Sequence, residues 1–211
     1  MAGVVVVGCG GFGREVVDLV LELATTSAGL ELFGVVDDGP SDLDLARLAS
    51  VGVPYLGTID DYLAEAPLAH FVIGIAGPRA RRAIDMKMAA AGHVAATLVH
   101  PSATLGGLVE IGPGSILCAG VRLTTNIRLG RHVHVNLNAT IGHDSVLDDY
   151  VTVYPAAAVS GNVHLAEEVS LGVGSAVLQG LSVGARTFVG AAALVTKDAG
   201  PDLVLKGVPA R

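Results

Sequence analysis

The chain has 211 residues and no tryptophan, and Phe and Tyr contribute only four each. That scarcity excludes a wide core built on aromatic packing. Charged residues are only 16%, with 20 acidic against 13 basic, for a formal net charge of −7. Nucleic acid would meet a repulsive field, so neither DNA nor RNA is an expected partner. With 51% hydrophobic residues, the composition also excludes a disordered chain. There are two cysteines, Cys9 and Cys118, without metal-like spacing. They read as reduced thiols of a cytoplasmic protein. No uninterrupted apolar run approaches the roughly 18 residues of a membrane span. The opening MAGVVVVGCGG lacks the basic start of a signal peptide. What is plentiful is glycine, 28 residues, together with Val, Leu, Ile and Ala. Small aliphatics with many glycines suit a narrow, regular, β-rich interior.

Two halves follow different periods. In residues 1–98, strand-like and helix-like segments alternate. Strands are expected at 4–7, 32–36, 71–75 and 94–98, and helices at 14–24, 59–64 and 78–91, the last opening with Pro78 where a missing N–H costs nothing. Such alternation implies a small parallel sheet with helices on its faces, a half-Rossmann-like α/β domain. Between the first strand and helix, Gly8-Cys9-Gly10-Gly11-Phe12-Gly13 contains G-x-G-x-x-G, and Asp37 and Asp38 end the second strand. Alone, this is the dinucleotide fingerprint and motivates an NAD-dependent oxidoreductase. The half is too short for a full dinucleotide fold, and the same loop serves one nucleotide's diphosphate through helix N-terminal amides. Gly10, Gly11, Phe12, Asp37 and Asp38 are therefore expected to contact a sugar nucleotide, with Asp37 on uracil or ribose, Ala76 and Gly77 lining the pocket, and Arg79 or Arg81 meeting a phosphate.

From Val99 the period becomes six. Every sixth residue to Val195, seventeen positions, is Val, Ile or Leu without a break. Four places after the anchor the residue is usually small or β-branched, as at Ala103, Val109, Ser115 and Val121, and glycine often follows the anchor. Neither a helix of period 3.6 nor a strand of period two places every sixth residue inside. A triangular solenoid does, with one side per hexad and three hexads per coil. Residues 99–211 are thus expected to form an all-β parallel β-helix of five to six coils, with glycines and polar residues relieving the corners.

His143 follows Gly142 in the hexad of anchor Ile141, outside the inward positions, so its imidazole should project outward beside Asp144. A base with a pKa of about 6.5 next to a carboxylate suits acyl transfer to an amine or hydroxyl; the alternative is an ordinary solvated histidine. His132, His134 and His164 share the solenoid, but their spacing does not match a metal site built across adjacent coils. Surface or interface places are expected for them, and no metal. A glycine in the Ser160-Gly161-Asn162 turn lets a backbone N–H approach a thioester oxygen. Neither cysteine fits a nucleophile's role, which favours direct transfer.

These features resemble a known group. The repeat is that of the hexapeptide-repeat acyltransferases. The segments GCGGFGREV, VVDD at 35–38, NATIGHDSVLDDY at 138–150, SGNV at 160–163 and the terminal GVPAR resemble the sialic acid O-acetyltransferase NeuD family, which includes PglD-type UDP-4-amino-sugar N-acetyltransferases. The resemblance implies a left-handed β-helix and a cytoplasmic homotrimer of glycan biosynthesis. It implies acetyl-CoA lying between neighbouring helices, a nucleotide sugar held by the N-terminal domain, and transfer with His143 as general base supported by Asp144. It also implies that Val173 and Ala191 track the pantetheine arm, that Lys206 and Pro209 lie near the adenine end, helped by Lys197 or Arg186, and that Thr152 stands where some relatives carry a second histidine near the acetyl group. Tyr150, Tyr154 and Pro155 shape either the acceptor pocket or a trimer contact. O-acetylation of a sialic acid and a non-enzymatic scaffold remain the rival readings.

Overall fold

The structure, a computed structural model, describes residues 2–26, 30–65 and 67–211. They form two compact units, Met1–Ala96 and Thr97–Arg211. In the first, β1 (Ala2–Val7), β2 (Leu30–Val36), β3 (His70–Ile73) and β4 (Val94–Ala95) form a parallel sheet in the order β2-β1-β3-β4. Helices α1 (Gly11–Thr26), α2 (Asp42–Ser50), α3 (Ile59–Glu65) and α4 (Pro78–Ala90) complete it. Val5, Val7, Val36, Phe71, Ile73 and Met88 pack as one buried cluster with Ile59 and Tyr62. β-branched and aromatic residues on strands buried on both faces account for the continuous apolar runs. Helix α2 has no counterpart among the expected elements. Its signals are local: Ser41 caps it by accepting from the Asp44 amide at 3.1 Å, Asp42 and Asp44 lie in its first turn and Arg47 in its last. The strand expected over 94–98 is divided. Val94–Ala95 pairs with β3, whereas Leu98–Val99 pairs with Ile116–Leu117 in the second unit.

The second unit is a three-sided parallel β-helix. Strands of two or three residues end on the aliphatic anchors and pair with the strand one coil, eighteen residues, further on, giving sheets of five, six and seven strands. Every anchor from Leu117 to Val195 is buried. In the first coil, which has a coil on one side only, Leu105 is 40% exposed. The repeat shortens at its end, where Val189 pairs with Leu205 sixteen residues on.

The corners correct one expectation. The glycines that follow the anchors are not the residues that turn the chain. Every sixth residue from Leu108 to Ala192 adopts a positive φ, between 50° and 76°, three places after the anchor. Asn126, Asn138, Asp144 and Asn162 suit that left-handed conformation, but His132, Tyr150, Ala156, Glu168 and Arg186 adopt it too. Each such non-glycine corner costs about 1–2 kcal/mol at most, whereas burying one anchor contributes about 1.5–3 kcal/mol. The repeating interior therefore imposes the corner. The glycines after the anchors serve close approach. A Cβ on Gly106 would lie 1.7 Å from the Thr124 carbonyl oxygen of the next coil, and one on Gly142 would lie 2.5 Å from the Gly161 nitrogen.

Candidate active site

His143 and Asp144 occupy the corner between the strands Thr140–Ile141 and Val146–Leu147. Backbone bonds tie this corner to its neighbours above and below. The Asp144 N–H donates to Thr125 O at 3.1 Å, and the Asn162 N–H donates to His143 O at 2.6 Å. Asp144 is the left-handed residue, with φ 61°, and this turns its side chain back toward the residue before it. Its Oδ2 lies 2.6 Å from His143 Nδ1, so the carboxylate reaches the ring. Its Oδ1 accepts from Asn126 Nδ2 at 2.6 Å, one coil earlier at the same corner position. The hydrogen bond from Asn126, then that from His143, hold the Asp144 carboxyl below the usual carboxylate range. An ionised carboxylate only accepts, so Nδ1 carries a proton, and in the neutral imidazole Nε2 is then the nitrogen with the lone pair. The pair is about half exposed, 50% for His143 and 49% for Asp144.

The ring packs over Gly161, one coil further on. A Cβ there would sit 2.5 Å from both Cε1 and Nε2 of His143. Gly161 is thus needed to seat the imidazole, a role its sequence position did not reveal. Asn126 is the other residue missed. Its signal was the eighteen-residue coil period applied to polar corner positions as well as to anchors.

The remaining solenoid candidates fall elsewhere. Thr152 lies on Thr152–Val153, in the seven-stranded sheet rather than at the His143 corner, with its side chain fully buried. Val173, 51% exposed, and Ala191 stack one coil apart on a different edge, linked through the Ala192 N–H to Val173 O at 2.9 Å. Lys206 and Pro209 are exposed in a tail that folds back, the Lys206 N–H donating to Arg211 O at 3.0 Å and the Ala210 N–H to Leu194 O at 2.7 Å. A groove of about 380 Å³ beside this tail is lined by Lys197, Asp198, Leu205 and Arg211. Arg186 is engaged by Asp202 through two bonds of 2.6 Å, which raise its pKa, so its charge is already matched. Surface places for His132 and His134 are corrected: both are fully buried, and the His132 ring stacks on Tyr150, centroids 5.9 Å apart. His164 is exposed and pairs with Asp148 at 2.8 Å. Among the described residues, no three His, Cys, Asp or Glu side chains cluster as metal ligands would.

In the first unit, the glycines of the loop divide into two kinds. A Cβ on Gly13 would lie 1.9 Å from Gly8 O, and one on Gly74 would lie 2.5 Å from Gly13 Cα, so these keep loop and strand ends in contact. A Cβ on Gly10 or Gly11 would meet nothing within 4 Å. The loop before α1 is open there, with the first-turn amides of the helix behind it, as an anion site requires. Asp37 holds this loop: its Oδ2 accepts from Cys9 N at 2.8 Å and its Oδ1 from Gly39 N at 2.9 Å. Asp38 Oδ1 accepts from Ile59 N at 2.8 Å, at the start of α3. Both acids are thus engaged by backbone amides of their own unit. Arg81 is fully buried and donates to the carbonyls of Ile75 and Ala76 at 3.1 and 2.9 Å, so it braces the loop holding Ala76 instead of facing a phosphate; Arg79 is exposed. Burial, then the charge of Asp37, pushes the Cys9 thiol up to about 12, and Cys118 is buried as well.

Residues 3–88 match the family model described as the PglD N-terminal domain. Over 175 residues the chain is 29% identical to GDP-perosamine N-acetyltransferase of Escherichia coli O157:H7, covering 82% of this chain and 77% of that protein. Its fold is similar to that of WeeI from Acinetobacter baumannii AYE, with a TM-score of 0.88 and 31% identity, covering 99% of this chain and 98% of the other. It is also similar to PerB from Caulobacter crescentus in complex with CoA and GDP-perosamine, with a TM-score of 0.86 and 30% identity, covering 100% and 97%. Fold and similarity together define an acyltransferase built on a left-handed parallel β-helix. The chain belongs to the hexapeptide-repeat acyltransferases that carry a PglD-type N-terminal domain.

Proposed function

We propose that this protein transfers the acetyl group of acetyl-CoA to the amino group of a nucleotide-linked amino sugar, directly and with His143 as general base. The observation that carries this is the outward dyad. Nδ1 of His143 is committed to Asp144 at 2.6 Å, which leaves Nε2 of the neutral ring as the acceptor at a half-exposed corner. The similarity to a structure holding CoA and GDP-perosamine supports the substrate class.

In the proposed reaction the sugar amine adds to the thioester carbonyl while Nε2 takes its proton. The Gly161 amide, at the corner under the ring, stabilises the oxyanion. The C–S bond then breaks, the imidazolium returns its proton to the thiolate, and the products are the N-acetyl sugar and free CoA. An acyl-cysteine has no support, because Cys9 is buried with its pKa at about 12. Asp144 stays ionised throughout and stabilises the imidazolium.

In a single chain, the His143 corner and the Val173–Ala191 edge are different edges of the solenoid. A cyclic homotrimer brings one copy's His143 edge beside the next copy's Val173–Ala191 edge and so completes an acetyl-CoA groove. The glycine loop, with open space at Gly10 and Gly11, would take the acceptor's diphosphate, with Phe12, Asp37, Asp38 and Ala76 around it.

Thiol release from acetyl-CoA with GDP- and UDP-linked 4-amino sugars tests this reading. His143→Ala is expected to cut kcat by roughly 10²–10⁴-fold and to leave the KM for acetyl-CoA near normal. A His143→Ala enzyme with near-wild-type kcat at neutral pH overturns the mechanism.

A further inference from the structure

We propose that Asn126 is the positioning residue of the dyad: it fixes the Asp144 carboxylate so that one oxygen stays on His143 Nδ1. This rests on His143 being the general base. The geometry is a chain of three side chains across two coils. Asn126 Nδ2 donates to Asp144 Oδ1 at 2.6 Å, and Asp144 Oδ2 meets His143 Nδ1 at 2.6 Å. Asn126 and Asp144 occupy equivalent corners eighteen residues apart, both left-handed, with φ 54° and 61°. The two side chains therefore leave their backbones in the same direction, one above the other.

Asp144 needs such a partner. It is about half exposed and borders an open groove of about 410 Å³. An unrestrained carboxylate there would rotate among its rotamers and hydrogen-bond to water. Both its oxygens are instead occupied, and charge-assisted bonds of this length are the stronger kind. The other charged groups lining that groove are Glu110 and Arg128, which lie opposite each other on neighbouring strands. They have opposite signs, and neither has a hydrogen bond to Asp144 in its place. Among the described residues the amide of Asn126 is the donor on Oδ1, and it orients the acid without competing for the imidazole's proton.

Two variants separate orientation from corner structure. Asn126→Gly keeps a residue that accepts the left-handed corner and deletes the amide. Asn126→Asp keeps shape and backbone preference but replaces the donor by a second carboxylate. Both are expected to lower kcat roughly ten- to a hundredfold, the range seen when an outer group that orients a histidine is lost, with the KM for acetyl-CoA unchanged. The ring tautomer of His143, read in the intact protein by nitrogen NMR of ring-labelled histidine at a pH where the ring is neutral, needs no acceptor. The Nδ1–H tautomer fraction is expected to fall in Asn126→Gly and to fall further in Asp144→Asn. Adding Asn126→Gly to Asp144→Asn should then change neither that fraction nor kcat. If Asn126→Gly leaves the tautomer fraction at its wild-type value, or costs as much kcat without Asp144 as with it, Asn126 is only a corner residue and the proposal falls. Rate measurements use acetyl-CoA and GDP-perosamine. A His143→Ala enzyme that keeps its rate overturns the base assignment itself. A His143→Ala enzyme that loses its rate beside unaffected Asn126 variants overturns only the role of Asn126.

Discussion

Replacing Gly161 by alanine should disable the enzyme without unfolding it, and the structure sets the scale. The new Cβ would lie 2.5 Å from Cε1 and Nε2 of His143. Ordinary van der Waals contact begins near 3.4 Å, so the ring must retreat by about 0.9 Å. The backbone is no obstacle, because equivalent corner positions in other coils carry Thr125, Arg131, Val173 and Ala191. The atoms to be displaced belong to a half-exposed side chain, which can swing outward at little cost to stability. That swing stretches the 2.6 Å bond to Asp144 and moves Nε2 off the line of the attacking amine. A 1 Å misplacement of a catalytic group costs roughly 10²-fold. Gly161→Ala is therefore expected to lower kcat about a hundredfold, with the KM for acetyl-CoA and the melting temperature near wild type. Steady-state kinetics and a thermal melt on one preparation check this. A kcat within about threefold of wild type would show that the ring does not depend on this contact. A fall in activity that only tracks a lost fold would refute the argument equally.

Leu147→Ala, at a fully buried anchor, should cost about 2–5 kcal/mol in denaturant unfolding, and Leu105→Ala, 40% exposed in the first coil, distinctly less; equal losses would contradict the layered burial. Cys9, with its thiol pushed up to about 12, should resist thiol reagents at pH 8 in the native protein and react once unfolded. Because its pKa is higher folded than unfolded, the stability it contributes is complete below about pH 9 and is lost as pH rises toward 12; rapid native labelling at pH 8 would contradict its burial. Asp37→Ala, which frees the Cys9 and Gly39 amides, should raise the KM of the nucleotide sugar and leave that of acetyl-CoA unchanged, and the reverse pattern in bisubstrate kinetics would move the acceptor away from the glycine loop.

The solenoid was legible because its physics is nearly one-dimensional. A local period of six, with eighteen residues per coil, specifies which residues stack, so anchors 99–195 and the outward course of His143 follow from spacing. The α/β half was legible in outline from β-branched runs, the glycine loop and Pro78. Helix α2 was missed although its cap and charges are local, because its apolar residues, Leu43, Leu45 and Leu48, make only a short stripe in a polar stretch.

Contacts between side chains that approach from different coils or loops were a different matter. Arg79 or Arg81 reads as a phosphate ligand in the sequence, and Arg81 is a buried brace in the fold, because a guanidinium is satisfied wherever carbonyls converge. Residues 108–192 contain a left-handed position at every corner, invisible because the same conformation is imposed on Asn, His, Tyr, Glu, Arg and Ala alike. The sequence by itself determined the repeat, the buried anchors and the outward course of His143, since those depend on period alone, but it did not show that His132 and His134 are buried. Only the tertiary structure decided that Asp144 reaches His143, that Asn126 holds it there and that Gly161 makes room beneath the ring, because each depends on side-chain directions set by a corner's φ and by the coil stacked against it.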